Sequence, residues 1–263
     1  MLSPYKKKGR KMNISIVTFN LRMDTRYDGE NYFFNRAPYI LNTILEKKPD
    51  IICFQEATVR ILKWLRSNLT EYTVAGIGRG KDFSDEANPV AFRKDRFELF
   101  GLDQFWLSPT PHVPGSRYAE QSPCPRICVT ATLRPVGEGR LLRVYNTHLD
   151  HVSKTARTLG MSSIIQRIHE DAEAFKTPLL LTGDMNATPD EPCIREALET
   201  GLLDFTETVN TSFHNFGRMK QDCKIDYVFA NDDCKLLDVT VWNEQHHGLL
   251  LSDHYPIECL VEV

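Results

Sequence analysis

The chain has 263 residues, 41% of them hydrophobic and 25% charged, with 32 Lys and Arg against 35 Asp and Glu for a formal net charge of −3. These proportions exclude an intrinsically disordered chain, and no apolar run approaches the length of a membrane span. The slight acidity argues against unaided affinity for duplex nucleic acid, which rests on many Lys and Arg contacts to phosphates.

Residues 1–11 contain Lys6-Lys7-Lys8-Gly9-Arg10-Lys11 and lead into no long apolar stretch, which predicts a disordered basic leader rather than a secretory signal. Residues 12–263 are expected to form one domain, a length that two packed sheets can use without a boundary. Apolar runs predict strands over 13–19, 50–54, 72–77, 90–93, 127–133, 141–147, 179–182, 225–230, 236–242 and 256–261. Ala37, Ile40, Leu41, Ile44 and Leu45 recur at helical spacing ahead of Pro49, and Val59, Leu62, Leu65 and Leu69 do the same, so both helices are expected to cover a sheet face. Gly76-Ile77-Gly78-Arg79-Gly80 lacks the lysine and spacing of a phosphate-cradling loop and reads as a flexible surface turn. A third helix is predicted to start at Ser153 as N-cap, to carry Leu159, Ile164, Ile165 and Ile168 inward, and to end before Pro178.

Seven cysteines are scattered without metal-type pairing, and Cys124 and Cys128 lack a second Cys or His pair at zinc spacing. They predict reduced thiols and, with no signal segment, a cytoplasmic protein.

Six of the strand-like runs share one arrangement, an apolar stretch with polar or ionisable chemistry at a defined place. Ile14-Ser15-Ile16-Val17-Thr18-Phe19 reaches Asn20, Ile51-Ile52-Cys53-Phe54-Gln55 reaches Glu56, and Val144-Tyr145-Asn146-Thr147 reaches His148. Leu179-Leu180-Leu181-Thr182-Gly183 reaches Asp184 with Asn186 two residues on. In an extended chain that spacing turns both side chains to one side, at a strand end where open sheets build sites. Asp226 sits inside Lys224-Ile225-Asp226-Tyr227-Val228-Phe229, and Ser252-Asp253-His254-Tyr255-Pro256 precedes the last strand. Any one of these triplets is weak; their order and spacing carry the weight.

From about Met12 onward the set resembles the endonuclease/exonuclease/phosphatase superfamily, and none of the positions departs from its pattern. The resemblance implies a four-layer α/β/β/α sandwich with two packed mixed β-sheets, the DNase I-like α/β fold, and a metal-dependent hydrolase of phosphate esters. It places metal binding on Asn20, Glu56 and Asp253, with Mg²⁺ or Mn²⁺ as cofactor. The catalytic histidine falls on His148, and the acid and amide of the Gly-Asp-X-Asn element fall on Asp184 and Asn186. Asp226 is implied to orient a histidine, and the terminal Asp-His pair falls on Asp253 and His254. Residues 89–97 and 105–108 resemble a bacterial-type branch near the deadenylase-like nucleases.

Phosphodiester cleavage needs an activated water, relief of charge on the phosphate oxygens and protonation of the leaving oxygen. Asp184 is the candidate base and Asn186 a donor to a phosphate oxygen, while Asp226 would hold a cationic His254 and His148 would protonate the leaving group. Arg36, Arg126, His151 and His214 are second candidates for substrate phosphate or sugar, with structural ion pairing or capping equally open to each. Tyr32-Phe33-Phe34, Tyr118 and the Phe213-His214-Asn215-Phe216 segment could stack a base, although core packing is the better prior for most; the last reads as an exposed loop. The expected partner is a phosphate-ester substrate, a small phosphodiester or single-stranded nucleic acid, with no obligate protein partner. Two alternatives stand beside this reading. A sphingomyelinase-like lipid phosphodiesterase lacks support from any basic amphipathic helix. A non-catalytic binding protein on the same fold would be signalled by loss of Glu56, Asp184 or His254, and all three are present.

Overall fold

The computed structural model describes residues 11–137 and 139–263. The expected leader thus lies outside the described residues except for Lys11, whose ammonium pairs with Glu262 at 2.5 Å.

The elements follow as β1 (Asn13–Asn20), α1 (Phe33–Lys47), β2 (Ile51–Gln55), α2 (Val59–Asn68), β3 (Tyr72–Ala75), β4 (Val90–Arg93), β5 (Phe97–Trp106) and β6 (Ile127–Pro135). Then come β7 (Leu142–His148), α3 (Lys154–Ala174), β8 (Leu179–Asp184), α4 (Pro192–Glu199), β9 (Leu203–Asp204), β10 (Asp226–Ala230), β11 (Lys235–Val241) and β12 (Ile257–Glu262). One sheet has the order β11-β12-β1-β2-β4-β3 and the other β5-β6-β7-β8-β10-β9. Each is mixed, since β1–β2 and β7–β8 are parallel and the other pairs antiparallel.

The near-continuous apolar runs make sense because both faces of each sheet are covered. In β1, Ile14 and Ile16 point between the sheets toward Val129, Val144 and Leu180. Val17 and Phe19 point the other way, onto Phe33 and Ile40 of α1 and Ile61 and Leu65 of α2. On the far side, Met161 and Ile164 of α3 and Ile194 of α4 cover Tyr145, Leu181 and Phe229. The layers are therefore α/β/β/α, and each fully buried Leu or Ile contributes roughly 1.5–3 kcal/mol.

Caps set the helix starts. The Thr58 hydroxyl accepts from Ile61 N, and the Ser153 hydroxyl accepts from Ala156 N as predicted. Three stripe residues turn out differently from expectation: Leu45, Val59 and Leu159 are 38%, 56% and 37% exposed. Neighbours such as Ile40, Ile44, Ile61, Leu65, Ile164 and Ile165 fill the interface instead. Three elements, β5, α4 and β9, were not anticipated. Among the described residues no helix is long and apolar enough to cross a membrane.

Candidate active site

Both sheets end their central strands in polar residues at the same edge of the sandwich. In the second sheet the register places Asp184 opposite His148 of β7 on one side and Asp226 of β10 on the other, so three ionisable residues form one row. Gly183 makes this approach possible. Its φ is +149°, and a Cβ there would meet Thr147 O at 2.1 Å. In the first sheet, Asn20 ends β1 opposite Gln55, and Glu56 follows at once with a left-handed φ of 58°. His254 enters from the segment before β12, the neighbour of β1.

The two halves meet at Asn20. Its Nδ2 donates to Glu56 Oε1 at 3.1 Å and to Asp184 Oδ2 at 2.9 Å, while its Oδ1 accepts from Arg22 N at 2.9 Å. Asn20 thus turns nitrogen rather than oxygen to the carboxylates and braces them, instead of presenting the free oxygen expected of a metal ligand. Beneath the seam, Gln55 Nε2 donates to Asn146 Oδ1 at 2.7 Å, joining the sheets through buried amides.

Asp184 Oδ2 lies 3.4 Å from His148 Nε2 and 3.8 Å from His254 Nε2. Burial and the Asp226 charge push its carboxyl up to about 7, against the pull of His254 and hydrogen bonds from Asn186 N and Asn20. Burial alone would lower His254, but Asp226, hydrogen-bonded to Nδ1 at 2.7 Å, with Asp184 and Asp253 raises it to about 10. This environment favours the cationic form of His254. His148 goes the opposite way: burial, then the Arg126 and Arg79 charges, hold it well below the ordinary histidine value, so it is neutral. Burial would raise Glu56, yet the Met23 N–H at 2.8 Å, His254, Arg22 and Asn20 hold it below the usual carboxylate range. Burial and the nearby Glu56 charge raise Asp253, which lies 3.8 Å from Arg22 Nε.

Asn186 does not continue the strand. Its φ of 48° breaks the extension, its N–H donates to Asp184 Oδ1 at 2.9 Å, and its Nδ2 donates to Leu149 O at 3.0 Å. It orients Asp184 through the backbone and retains one amide hydrogen for a further acceptor.

One ligand atom each from Glu56, His148 and Asp184 falls within 4.8 Å of the others. Two carboxylates and an imidazole suit a divalent ion, the carboxylates a hard one, and His148 Nδ1 is buried without a partner, which leaves the ring unspent on other groups. This set shares Glu56 with the expected trio, and Asn20 hydrogen-bonds to two of its carboxylates. In the second grouping, Asp184, Asp226 and His254, the His254 Nδ1 is already hydrogen-bonded to Asp226 at 2.7 Å.

The second candidates separate. Arg36 is fully buried, its guanidinium taken up by the carbonyls of Asn31, Leu21, Arg22 and Leu251, and it ties loops together rather than facing the site. His214 is buried against Tyr255 at 4.1 Å with both ring nitrogens unpartnered, and burial, then His254, lowers it to about 4. Phe213 packs on the His254 ring at 4.7 Å and Phe216 under Arg36, so the expected exposed loop is instead half-buried. Tyr118 packs at the α3 layer, its hydroxyl 2.8 Å from Ser163 Oγ. Arg126 and His151 do lie beside His148, with Arg126 Nη2 2.9 Å from His151 Nδ1.

Sequence reasoning missed Arg22, Arg79 and Glu86. The glycine-rich turn is no free surface loop: Gly76, Gly78 and Arg79 are buried, and Arg79 Nη1 pairs with Glu86 Oε2 at 3.0 Å. The signal was present in Gly78, where a Cβ would strike Ser84 O at 2.1 Å. All seven cysteines are unpaired.

A family model described as the endonuclease/exonuclease/phosphatase family matches residues 17–254. The chain is 31% identical over 183 residues to nocturnin of Drosophila melanogaster, covering 64% of this chain but only 26% of that protein. The structure is similar to an endonuclease/exonuclease/phosphatase from Bacteroides vulgatus, with a TM-score of 0.87, 29% identity and coverage of 96% and 99% of the two chains. It shares the fold of a Bacteroides thetaiotaomicron mannosyl-6-phosphatase at a TM-score of 0.86, 24% identity, and coverage of 94% and 99%.

Proposed function

The chain belongs to the endonuclease/exonuclease/phosphatase family, and on that premise we propose that it hydrolyses phosphate esters with Mg²⁺ or Mn²⁺, Asp184 assisting the attack of water. The observation that carries this reading is the row His148, Asp184 and Asp226, closed from the other sheet by Glu56 and from the β12 end by His254. A carboxyl near 7 is matched to taking a proton from water at neutral pH. His254, fixed as a cation by Asp226, would lie against a phosphate oxygen and offset its growing charge. His148, neutral, would offer an N–H to the leaving oxygen. Asn186 would give its remaining amide hydrogen to the phosphoryl group. Glu56 and Asp184 would hold the divalent ion through their carboxylates, and it would supply polarisation of the phosphate and charge relief on the leaving oxygen.

The net charge of −3 favours small phosphate esters or single-stranded ends over duplex nucleic acid. Unpaired cysteines throughout fit a reducing compartment such as the cytoplasm.

The test is hydrolysis of p-nitrophenyl phosphate, bis-p-nitrophenyl phosphate, inositol phosphates and single-stranded RNA and DNA, with Mg²⁺, Mn²⁺ or EDTA. Turnover that needs metal and is lost in Asp184→Ala supports the reading. No turnover of any member with any metal would sink it.

A further inference from the structure

The hydrogen-bonding capacity of the Arg126 guanidinium is not met by the protein. Its side chain is 4% exposed, and Nε and Nη1 are buried with no hydrogen-bond partner. The Asp150 carboxylate reaches Arg126 Nε only at 3.9 Å and is already taken by the Ser122 hydroxyl, Ser122 N at 3.2 Å, Val152 N at 3.1 Å and Ser153 N at 2.7 Å. Glu86 is engaged by Arg79 at 3.0 Å, and Asp85 also pairs with Arg79, at 3.2 Å. Arg79 adds a second guanidinium close enough to repel the first, and burial with that repulsion lowers Arg126 from the usual arginine value. Keeping an underpaired cation buried beside another one costs stability, so such an arrangement points to an absent anion.

The one committed hydrogen bond of Arg126 has a directional consequence. A guanidinium can only donate, so His151 Nδ1 must accept, and the ring carries its hydrogen on Nε2. His151 is exposed, so its Nε2–H is open to an acceptor beside the buried arginine.

The position relative to the reacting groups follows from register. Arg126 immediately precedes β6, and β6 pairs with β7 with Cys128 opposite Thr147. Ile127 therefore falls opposite His148, and across the edge the strands run β6, β7, β8, β10 with Arg126 one residue beyond the row of His148, Asp184 and Asp226. Two strand spacings separate β6 from β8, about 10 Å. A group held at Arg126 and His151 lies past His148, on the side away from His254.

We propose that Arg126, Arg79 and His151 form an anion subsite that takes a second phosphoryl group of the substrate, carried on the alcohol that leaves. The inference rests on the phosphoesterase reading and narrows it to esters bearing another phosphate. Two guanidiniums and an imidazole N–H suit a tetrahedral dianion with three acceptor oxygens better than a planar carboxylate.

The experiment is calorimetric titration of the full wild-type chain in EDTA, which stops turnover, using adenosine 3′,5′-bisphosphate, fructose 1,6-bisphosphate and the corresponding monophosphates. The expected result is at least tenfold tighter binding of each bisphosphate than of its monophosphate, with that ratio falling toward one when His151→Ala is added. Arg126→Lys keeps a charge but not the bond to Nδ1, and is expected to reduce the ratio in part; it also guards against a misfolded Arg126→Ala. Equal binding of mono- and bisphosphates, or a ratio untouched by His151→Ala, overturns the subsite. Failure of the wild-type chain to hydrolyse any phosphate ester is a separate result and overturns the phosphoesterase reading instead.

Discussion

Asp226 Oδ2 accepts the Nδ1 hydrogen of His254 at 2.7 Å, while Asp226 Oδ1 is buried without a partner. One carboxylate oxygen is thus spent on holding the ring and its charge. Replacing Asp226 by Asn keeps the shape and removes the charge. We expect a loss of about 10²–10³-fold in rate, with the alkaline limb of the pH–rate profile moving down from near 10 toward the ordinary histidine value. Stability carries the same sign. His254 is raised in the folded chain, so its contribution is full below 6.5 and lost as pH rises through about 10. Chemical denaturation at pH 6 and pH 10 should show a larger drop for the wild type than for Asp226→Asn; equal drops would contradict the coupling.

Asp184 titrates in the opposite sense for function. Its carboxyl is pushed up to about 7, so without metal the base is lost as pH falls below that value. Bound Mg²⁺ or Mn²⁺ favours the anion and should move the acid limb to lower pH as metal is raised. The same burial makes the ionised group unfavourable to folding, so stability declines as pH rises from 3.8 through about 7. Asp184→Asn is therefore expected to lose activity by about 10²–10⁴-fold yet melt higher than the metal-free wild type at pH 8. A lower melting temperature would reverse the assignment.

Gly183→Ala forces a methyl toward Thr147 O at 2.1 Å in a backbone conformation that disfavours a side chain. We expect a destabilisation of about 2–3 kcal/mol, read as a shift in urea midpoint, together with a loss of activity greater than unfolding alone explains, because Asp184 is the next residue.

Arg36→Met tests the reassignment of that residue. Several buried carbonyls would lose their donor, for a cost on the order of 3 kcal/mol. The expected signature is a lower melting temperature with little change in KM. A large rise in KM in the folded variant would return Arg36 to substrate binding.

Central strands such as β2, β8 and β10 were legible because every residue is buried and nearly all are apolar, whereas β11, a half-exposed edge strand, was legible only from its apolar and β-branched run. β5 escaped because it is an edge strand with Leu99, Phe100 and Leu102 exposed and a register shift at Leu99 and Gly101, so neither alternation nor continuity marks it. The acids and histidines of the row were legible as residues at strand ends, since their place is fixed by register. What those side chains do there was less so. Asn20 and Asn186 could only be assigned once their partners were known, because an amide gives no hint of which end it turns inward. Arg36 and Arg126 look alike in the chain, yet the first is saturated by carbonyls and the second is not, a difference made entirely by tertiary contacts. Arg79 was hidden by its glycine neighbours, whose small size reads as a turn but here permits close backbone packing.

The buried bond from Gln55 to Asn146 ties two sheets that contribute different reagents, Glu56 from one and Asp184 with His148 from the other. Reactivity is then a gauge of alignment between slabs: a slip of about one strand residue, roughly 3.3 Å, would part the two carboxylates braced by Asn20 while leaving each slab intact. An enzyme so built can lose its chemistry without losing its secondary structure, and a single amide pair, far from solvent, is where such uncoupling would begin.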